Sequence, residues 1–305
     1  MSEMLGAQPD KPIALVDICL PASHDAGMYL TQYCTAFGNS GNTQTQYLPM
    51  KQQLEAGLRL FDFRPTYFRD EFYTWHETKC DGLGCHGDKL KNILLATREF
   101  LDTHHELVIL ELSHFCHTSA TDTAFLSLLT STLGDHIYRE SIPSDIPLIK
   151  RPLRQMLPAG SKTGKVLLLI ESASHTIDYR AKGFFNSDEE HAVGGWTNDN
   201  MYPQLCEHQL AQFSKYPGNG TNLFTLAWQI TQHDEQALRS ALAPHARVAI
   251  YKGSYKANHQ LPGFLDSLIR SGDIHRGKIP NIIWSDFADT AVVHQCMKLT
   301  SISVD

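Results

Sequence analysis

The chain has 305 residues, of which 42% are hydrophobic and 19% are charged. Those proportions are ordinary for a folded protein, and the length suits one barrel or one large α/β domain better than two domains. The net charge of −7 argues against a nucleic-acid binder, which needs a broad basic face. The seven cysteines are odd in number and irregularly spaced, so we expect reduced thiols rather than a disulfide framework.

Residues 1–10 form a polar tail without the basic and apolar regions of a signal peptide. No later run reaches the ~18 apolar residues that a membrane-spanning helix needs. The sequence therefore predicts a soluble protein that is cytoplasmic, or secreted or injected by a non-classical route. It gives no oligomeric state.

Short apolar runs alternate with longer stretches of helical periodicity along the chain. The predicted strands are Ile13–Cys19, Leu58–Phe63, Phe72–Trp75, Leu107–Leu112, Val166–Ile170, Leu223–Trp228, Val248–Tyr251 and Asn281–Trp284. The predicted helices are Leu48–Ala56, Lys89–Thr103, Thr121–Leu133, Pro203–Phe213, Glu235–Leu242 and Pro262–Ser271. Several strands are almost continuously apolar, which is typical of parallel strands covered on both faces. The pattern predicts one irregular (β/α) barrel.

The chemistry-bearing residues follow predicted strands. The first strand leads into Leu20-Pro21-Ala22-Ser23-His24-Asp25, and a histidine beside a carboxylate at a strand end is suited to acid–base chemistry. Asp62 and Arg64 stand two residues apart, so they share one face of a strand, and His86 follows further on. Two purely structural alternatives stay open. Asp62 and Arg64 could form a buried ion pair, and His86 could cap the helix that begins at Lys89.

Six segments together resemble the X domain of phosphatidylinositol-specific phospholipase C. They are Leu20–Asp25, Gln53–Arg64, His86-Gly87, Phe100-Leu101-Asp102 through Val108–Ser113, Val166–Ile170 and Ile282–Phe287. The resemblance implies a single distorted TIM-type barrel over residues 1–305. It also implies a phosphorus-oxygen lyase, in which a headgroup hydroxyl attacks phosphorus, expels the lipid alcohol and leaves a cyclic phosphate.

The resemblance also implies residue roles. His24 matches the general base and His86 the general acid. Asp286 matches the carboxylate that orients His24, and Asp25 would do the same for His86. A carboxylate partner fixes the tautomer of an imidazole and stabilises its charged form, so both pairings are physically reasonable.

Arg64 decides the expected subtype. In the calcium-dependent branch this position is an acidic metal ligand, whereas the metal-independent bacterial branch has arginine. The acidic ligand expected near Ser113 is also absent, so we expect no metal and no cofactor. Glu111, on the same face two residues earlier, keeps calcium open as an alternative. A zinc site of Cys80, Cys85 and His86 is a further alternative.

The substrate residues depart from the family pattern. Glu171 stands where phospholipases that bind inositol usually carry a basic residue, and it would repel additional phosphates on the headgroup. Asp199 is a candidate for binding headgroup hydroxyls. Tyr251 and Lys252 close another predicted strand and are further candidates.

The expected partner is a phospholipid or a small phosphodiester, with no nucleic acid. Tyr67-Phe68 and Phe184-Phe185 are candidates for peripheral membrane contact. The same scaffold acting on a non-inositol phosphodiester, or as a non-catalytic binding module, is the alternative function.

Overall fold

A computed structural model describes residues 12–304, except 78, 81, 117–118, 141–143, 159, 172–175, 219 and 243–248. The strands are β1 (Leu20–Ser23), β2 (Leu60–Phe63), β3 (Pro65–Phe68), β4 (Glu71–Glu77), β5 (Gly84–Lys89), β6 (Leu107–Leu112), β7 (Lys165–Ile170), β8 (Phe185–Asn186), β9 (Ala192–Gly194), β10 (Leu223–Trp228) and β11 (Ile282–Ser285). The helices are α1 (Ser40–Thr43), α2 (Met50–Glu55), α3 (Leu90–Thr103), α4 (Asp122–Leu133), α5 (Leu153–Met156), α6 (Tyr202–Lys215), α7 (Asp234–Leu242), α8 (Ala249–Ser271) and α9 (Thr290–Val304).

Within the described residues, eight strands form one parallel sheet in the order β8-β7-β6-β2-β1-β11-β10-β9. Alternate residues serve the two faces: Leu60 and Ile109 pack inside the curled sheet, whereas Leu110 and Leu112 pack in a separate cluster with α3 and α4. The expectation of a distorted TIM-type barrel is confirmed. No helix in the described part of the chain is both long and apolar enough to cross a bilayer.

The predicted first strand, Ile13–Cys19, is wrong. Residues Leu15–Asp17 form a 3-10 turn, and the Asp17 carboxylate accepts the N–H of Ala14 at 2.9 Å, which closes the turn. The strand begins instead at Leu20 and includes Pro21, whose carbonyl accepts the N–H of Arg59. Because proline is rare inside central strands, the pattern placed the strand too early. The shift means that His24 follows β1 directly.

The predicted strand Val248–Tyr251 is also wrong over the part that is described; Val248 lies outside the described residues. Ala249–Tyr251 form the first turn of the long helix α8. Ile250, Ser254, Ala257 and Leu261 are buried along this helix at intervals of three or four residues, which is the helical period. The composition of so short an apolar run does not distinguish a strand from a helix.

The predicted strand Phe72–Trp75 exists within β4, but it lies outside the barrel. It is the centre of an antiparallel sheet in the order β3-β4-β5. This small sheet packs closely on the segment after β1: a Cβ on Gly27 would stand 2.4 Å from the Thr74 hydroxyl. The missing side chain of Gly27 thus lets β4 approach the residues that follow β1.

The cysteines do not follow the expectation of reduced thiols. Cys34 is bonded to Cys85 and Cys80 to Cys116, while Cys19, Cys206 and Cys296 are free. The Cys34–Cys85 bond joins the loop before α1 to β5. The zinc alternative is wrong as well, because neither Cys80 nor Cys85 retains a thiolate for a metal.

Candidate active site

The strand register brings a layer of polar side chains to the mouth of the barrel, which is the C-terminal end of its strands. Ala22 pairs with Leu60 and with Trp284 on the interior face, so the residues two positions further on each strand share that face. Asp62 in turn pairs with Glu111. The layer consists of His24, Asp62, Glu111 and Asp286.

His24 and Asp286 make the hydrogen bond that the family resemblance implies. The imidazole Nδ1 lies 2.7 Å from Asp286 Oδ1, and both residues are buried. The Gln46 amide donates to the carbonyl oxygens of His24 and Ser285, which ties the ends of β1 and β11 together. Ser254 on α8 donates to the other Asp286 oxygen at 3.4 Å. The carboxylate is thereby held in place, and it fixes the His24 ring with Nε2 directed into the mouth.

Asp25, Arg64 and Asp62 form a charged group beside His24. Arg64 Nε lies 2.9 Å from Asp25 Oδ1, and an Arg64 terminal nitrogen lies 3.4 Å from His24 Nε2. The Asp25 backbone N–H donates to Asp62 at 3.1 Å, with Asp25 held at a φ of 43°. Arg64 is half-buried, so its guanidinium can be reached from the mouth. His24 Nε2 therefore lies beside the Arg64 guanidinium and, at 3.4 Å, beside the second carboxylate oxygen of Asp25.

The charges around His24 outweigh its burial. Burial lowers the pKa of His24, but the carboxylates of Asp25 and Asp286 raise it from 6.5 to about 9. Burial raises the pKa of Asp25, and the charges of Arg64 and His24 bring it below its ordinary value. Burial and the neighbouring Asp25 raise the pKa of Asp62. The two carboxylates thus favour the charged form of His24, which stabilises the ring once it has accepted a proton.

The structure brings a second histidine to this group, and it is His76 rather than His86. His76 Nδ1 lies 2.9 Å from the carbonyl of Thr43, so it donates there and leaves Nε2 facing Asp25 at 3.8 Å. Burial lowers the pKa of His76. The sequence offered a usable signal, since His76 directly follows the predicted strand Phe72–Trp75, as His24 follows β1.

The predicted pairing of Asp25 with His86 is wrong. His86 lies opposite Trp75 across the β4–β5 ladder, whereas His76 lies opposite Cys85, so the two histidines occupy opposite faces of the small sheet. His86 stacks on Phe68 with ring centres 4.6 Å apart, and its Nδ1 is 3.5 Å from the Tyr33 carbonyl. It packs among aromatic rings away from Asp25.

The substrate candidates fall in two places. Glu171 follows β7 at the mouth, as expected, and its carboxylate accepts the N–H of His114 at 2.9 Å. Asp199 is buried, and its two oxygens accept hydrogen bonds from His208 and Thr197. Because both oxygens are already engaged, Asp199 has less capacity to bind a headgroup hydroxyl than its sequence position indicated.

The strand-end placement of Tyr251 and Lys252 is wrong, because both lie on helix α8. The Tyr251 ring packs on Tyr47 and Phe287, with ring centres 5.0 and 5.3 Å apart. Lys252 is exposed on that helix.

The residues predicted to contact a membrane are buried or pack against other aromatic rings. Phe184 and Phe185 are buried in the core, and the Phe68 ring stacks against the ring of His86. Tyr67 is half-buried against the core and packs on Phe72, with ring centres 4.9 Å apart.

The fold is similar to that of solved phospholipase C structures. No family model and no curated protein matches the chain. A phosphatidylinositol-specific phospholipase C from Listeria monocytogenes matches with a TM-score of 0.60 and 19% identity over 94% of each chain. The F249X mutant of the Staphylococcus aureus enzyme matches with a TM-score of 0.60 and 13% identity, over 92% of this chain and 93% of that one. The resemblance read from the sequence is confirmed at the level of the fold.

Proposed function

We propose that the protein is a phosphodiesterase of the phospholipase C type, a phosphorus-oxygen lyase that acts on phosphatidylinositol or a related phosphodiester. One observation carries the proposal: His24, with its Asp286 partner, lies 3.4 Å from the Arg64 guanidinium, and His76 lies 3.8 Å from Asp25, which pairs with Arg64. Such a reaction needs a proton acceptor, a proton donor and a positive charge on the phosphoryl oxygens, and these three groups supply them.

The distances support a definite order of proton movements. A phosphate paired with Arg64 lies beside His24 Nε2, which is 3.4 Å from the guanidinium. The headgroup hydroxyl attacks phosphorus, its proton passes to Nε2, and Asp286 stabilises the resulting imidazolium through Nδ1. The bond from phosphorus to the lipid oxygen breaks, and that oxygen takes a proton from His76 Nε2. Asp25, 3.8 Å from that nitrogen, stabilises the protonated form of His76 before the transfer.

The position of Arg64 supports catalysis without a metal. His24, Asp25 and Asp62 offer ligand atoms within 4.8 Å of one another, a spacing that suits a cation. However, the Arg64 guanidinium is already 2.9 Å from Asp25, where a divalent ion would have to bind. Calcium also requires at least about six oxygen ligands, which this group does not reach without displacing Arg64. The arginine thus takes the place of the metal.

An aromatic surface next to the mouth supports peripheral membrane contact. Tyr47 and Tyr255 are 47% and 60% exposed, and both pack against Tyr251. Phe287, which packs on Tyr47, directly follows Asp286, so these rings lie beside the proposed reaction centre. Aromatic side chains with polar tips favour the boundary between water and lipid.

Turnover of phosphatidylinositol vesicles, followed by phosphorus NMR for a cyclic phosphate product, tests the proposal. His24→Ala and His76→Ala should each lower kcat by ~10²–10⁴-fold, the usual contribution of a general acid or base. His86→Ala is the matched control and should keep most of the activity, because His86 lies on the other face of the small sheet. Absence of turnover with every phosphodiester tried would overturn the proposal in favour of a binding module. Full activity of His76→Ala would remove its role as the acid.

A further inference from the structure

We propose that the carboxylates of Glu111, Glu171 and Glu190 bind an ammonium group on the substrate, so that the headgroup is an amine-bearing polyol without a second phosphate. This inference rests on the proposed function and specifies its substrate class. It concerns the side of the mouth formed by β6, β7 and β8, next to Asp62.

The three carboxylates lie on or after three adjacent strands, β6, β7 and β8. Glu111 lies on β6 in register with Asp62 on β2. Glu171 lies two residues beyond Leu169, which pairs with Glu111, so it shares that interior face. Glu190 ends the 3-10 helix Ser187–Glu190 that follows β8, the strand beside β7. Together they form an acidic wall at the mouth.

A structural role does not explain this wall. Like charges directly opposite one another in a sheet are destabilising, and Asp62 and Glu111 are such a pair. Glu190 is 9% exposed, and among the described residues its carboxylate makes no hydrogen bond or ion pair; the same holds for half-buried Glu111. Buried acidic groups that serve stability are normally paired. Unpaired ones at a cleft indicate a ligand that completes them.

A buried amide oxygen on the other side of the mouth also lacks a hydrogen-bond donor among the described residues. Gln229 directly follows β10, and its neighbour Trp228 pairs with Ser285, so Gln229 stands level with Asp286 on the interior face. It is 5% exposed, and its Oε1 has no hydrogen-bond donor among the described residues. The mouth thus presents acceptors that lack donors, and an ammonium group offers three donors and a positive charge.

The acid–base state of the wall agrees with its geometry. Burial and the charge of Asp62 raise the pKa of Glu190 to about 7. Burial raises the pKa of Glu111, and Glu190, Asp62 and Glu171 raise it further. Burial and the neighbouring carboxylates therefore disfavour the ionised forms of Glu111 and Glu190. Since a bound ammonium group favours the ionised carboxylates, its binding should release protons, whereas a second phosphate should be repelled.

Calorimetry on the intact protein can test the inference without any turnover. The probes are an aminodeoxyinositol, myo-inositol and a myo-inositol phosphate. The amine should bind at least ~10-fold more tightly than myo-inositol, which corresponds to one charge-assisted contact. Titration in two buffers of different ionisation enthalpy should show proton release with the amine only.

Three variants locate the effect. Glu190→Gln and Glu111→Gln keep the side-chain shape and should each lower the preference for the amine by ~10-fold or more. Glu171→Gln provides a third variant in case one of these fails to fold, as judged by thermal melting. Glu207→Gln, at an exposed position on α6, is the matched control and should leave the preference unchanged.

Equal binding of the amine and myo-inositol, tightest binding of the phosphate, or no binding of any probe would overturn the inference. An unchanged preference in all three wall variants would do the same. Selective binding of the amine by a protein that cleaves no phosphodiester would support the wall and refute only the proposed activity. Turnover of phosphatidylinositol without amine preference would refute only the wall.

Discussion

The Asp286→Asn variant should show how strongly the proposed proton acceptor, His24, depends on the carboxylate of Asp286. The wild-type pKa of His24, raised from 6.5 to about 9, corresponds to about 3 kcal/mol of preference for the imidazolium. Asp286 supplies part of that preference through its charge and its 2.7 Å hydrogen bond, while Asp25 supplies the rest. Removing the charge should lower the pKa of His24 by about one pH unit or more, equal to ~1.4 kcal/mol.

The rate should fall for a second reason. The amide group that replaces the carboxylate can donate to His24 Nδ1, which would place the histidine proton on Nε2, the nitrogen that must accept the hydroxyl proton. A wrong tautomer of this kind costs up to ~10⁴-fold in a comparable histidine–carboxylate pair. We therefore expect kcat to fall by ~10²–10⁴-fold in Asp286→Asn.

The assay is kcat/KM as a function of pH, together with NMR titration of the His24 ring. The His24 ring of the wild type should titrate near pH 9, because only above that pH is most of the ring neutral and able to accept a proton. In Asp286→Asn the His24 ring should titrate at a lower pH. Asp289→Asn is the control, since Asp289 is exposed three residues further on. A His24 ring that still titrates near pH 9 in Asp286→Asn, or a loss in kcat below ~10-fold, would refute the reasoning.

Two further predictions concern the metal and the cysteines. Turnover should survive EDTA treatment, because the Arg64 guanidinium already lies 2.9 Å from Asp25, where the proposal gives it the role of a metal ion. A loss that calcium restores would contradict that role. Mass spectrometry of the unreduced protein should find the Cys34–Cys85 and Cys80–Cys116 bonds. Replacing Cys34 and Cys85 together by serine should lower the free energy of unfolding by ~2–4 kcal/mol, and an unchanged denaturation midpoint would count against that bond.

Much of the fold could be predicted from the sequence where the pattern was local. Leu107–Leu112 and Leu223–Trp228 are strands with the predicted bounds, because continuous apolar runs of six residues identify buried parallel strands. The same logic failed for Val248–Tyr251, where a short apolar run began a helix. It also failed at Pro21, which the parallel sheet accommodates although proline usually avoids central strands.

The candidate site divides in the same way. The sequence by itself placed His24 and Arg64 beside predicted strands, and the family resemblance pointed to Asp286 as the partner of His24. Only the tertiary structure decided that Asp25 faces Arg64 and His76 rather than His86. That choice depends on which face of the β4–β5 ladder each histidine occupies and on how closely β4 packs against Gly27. A one-residue difference in register reverses the face of a strand residue, and contacts distant in sequence fix that register.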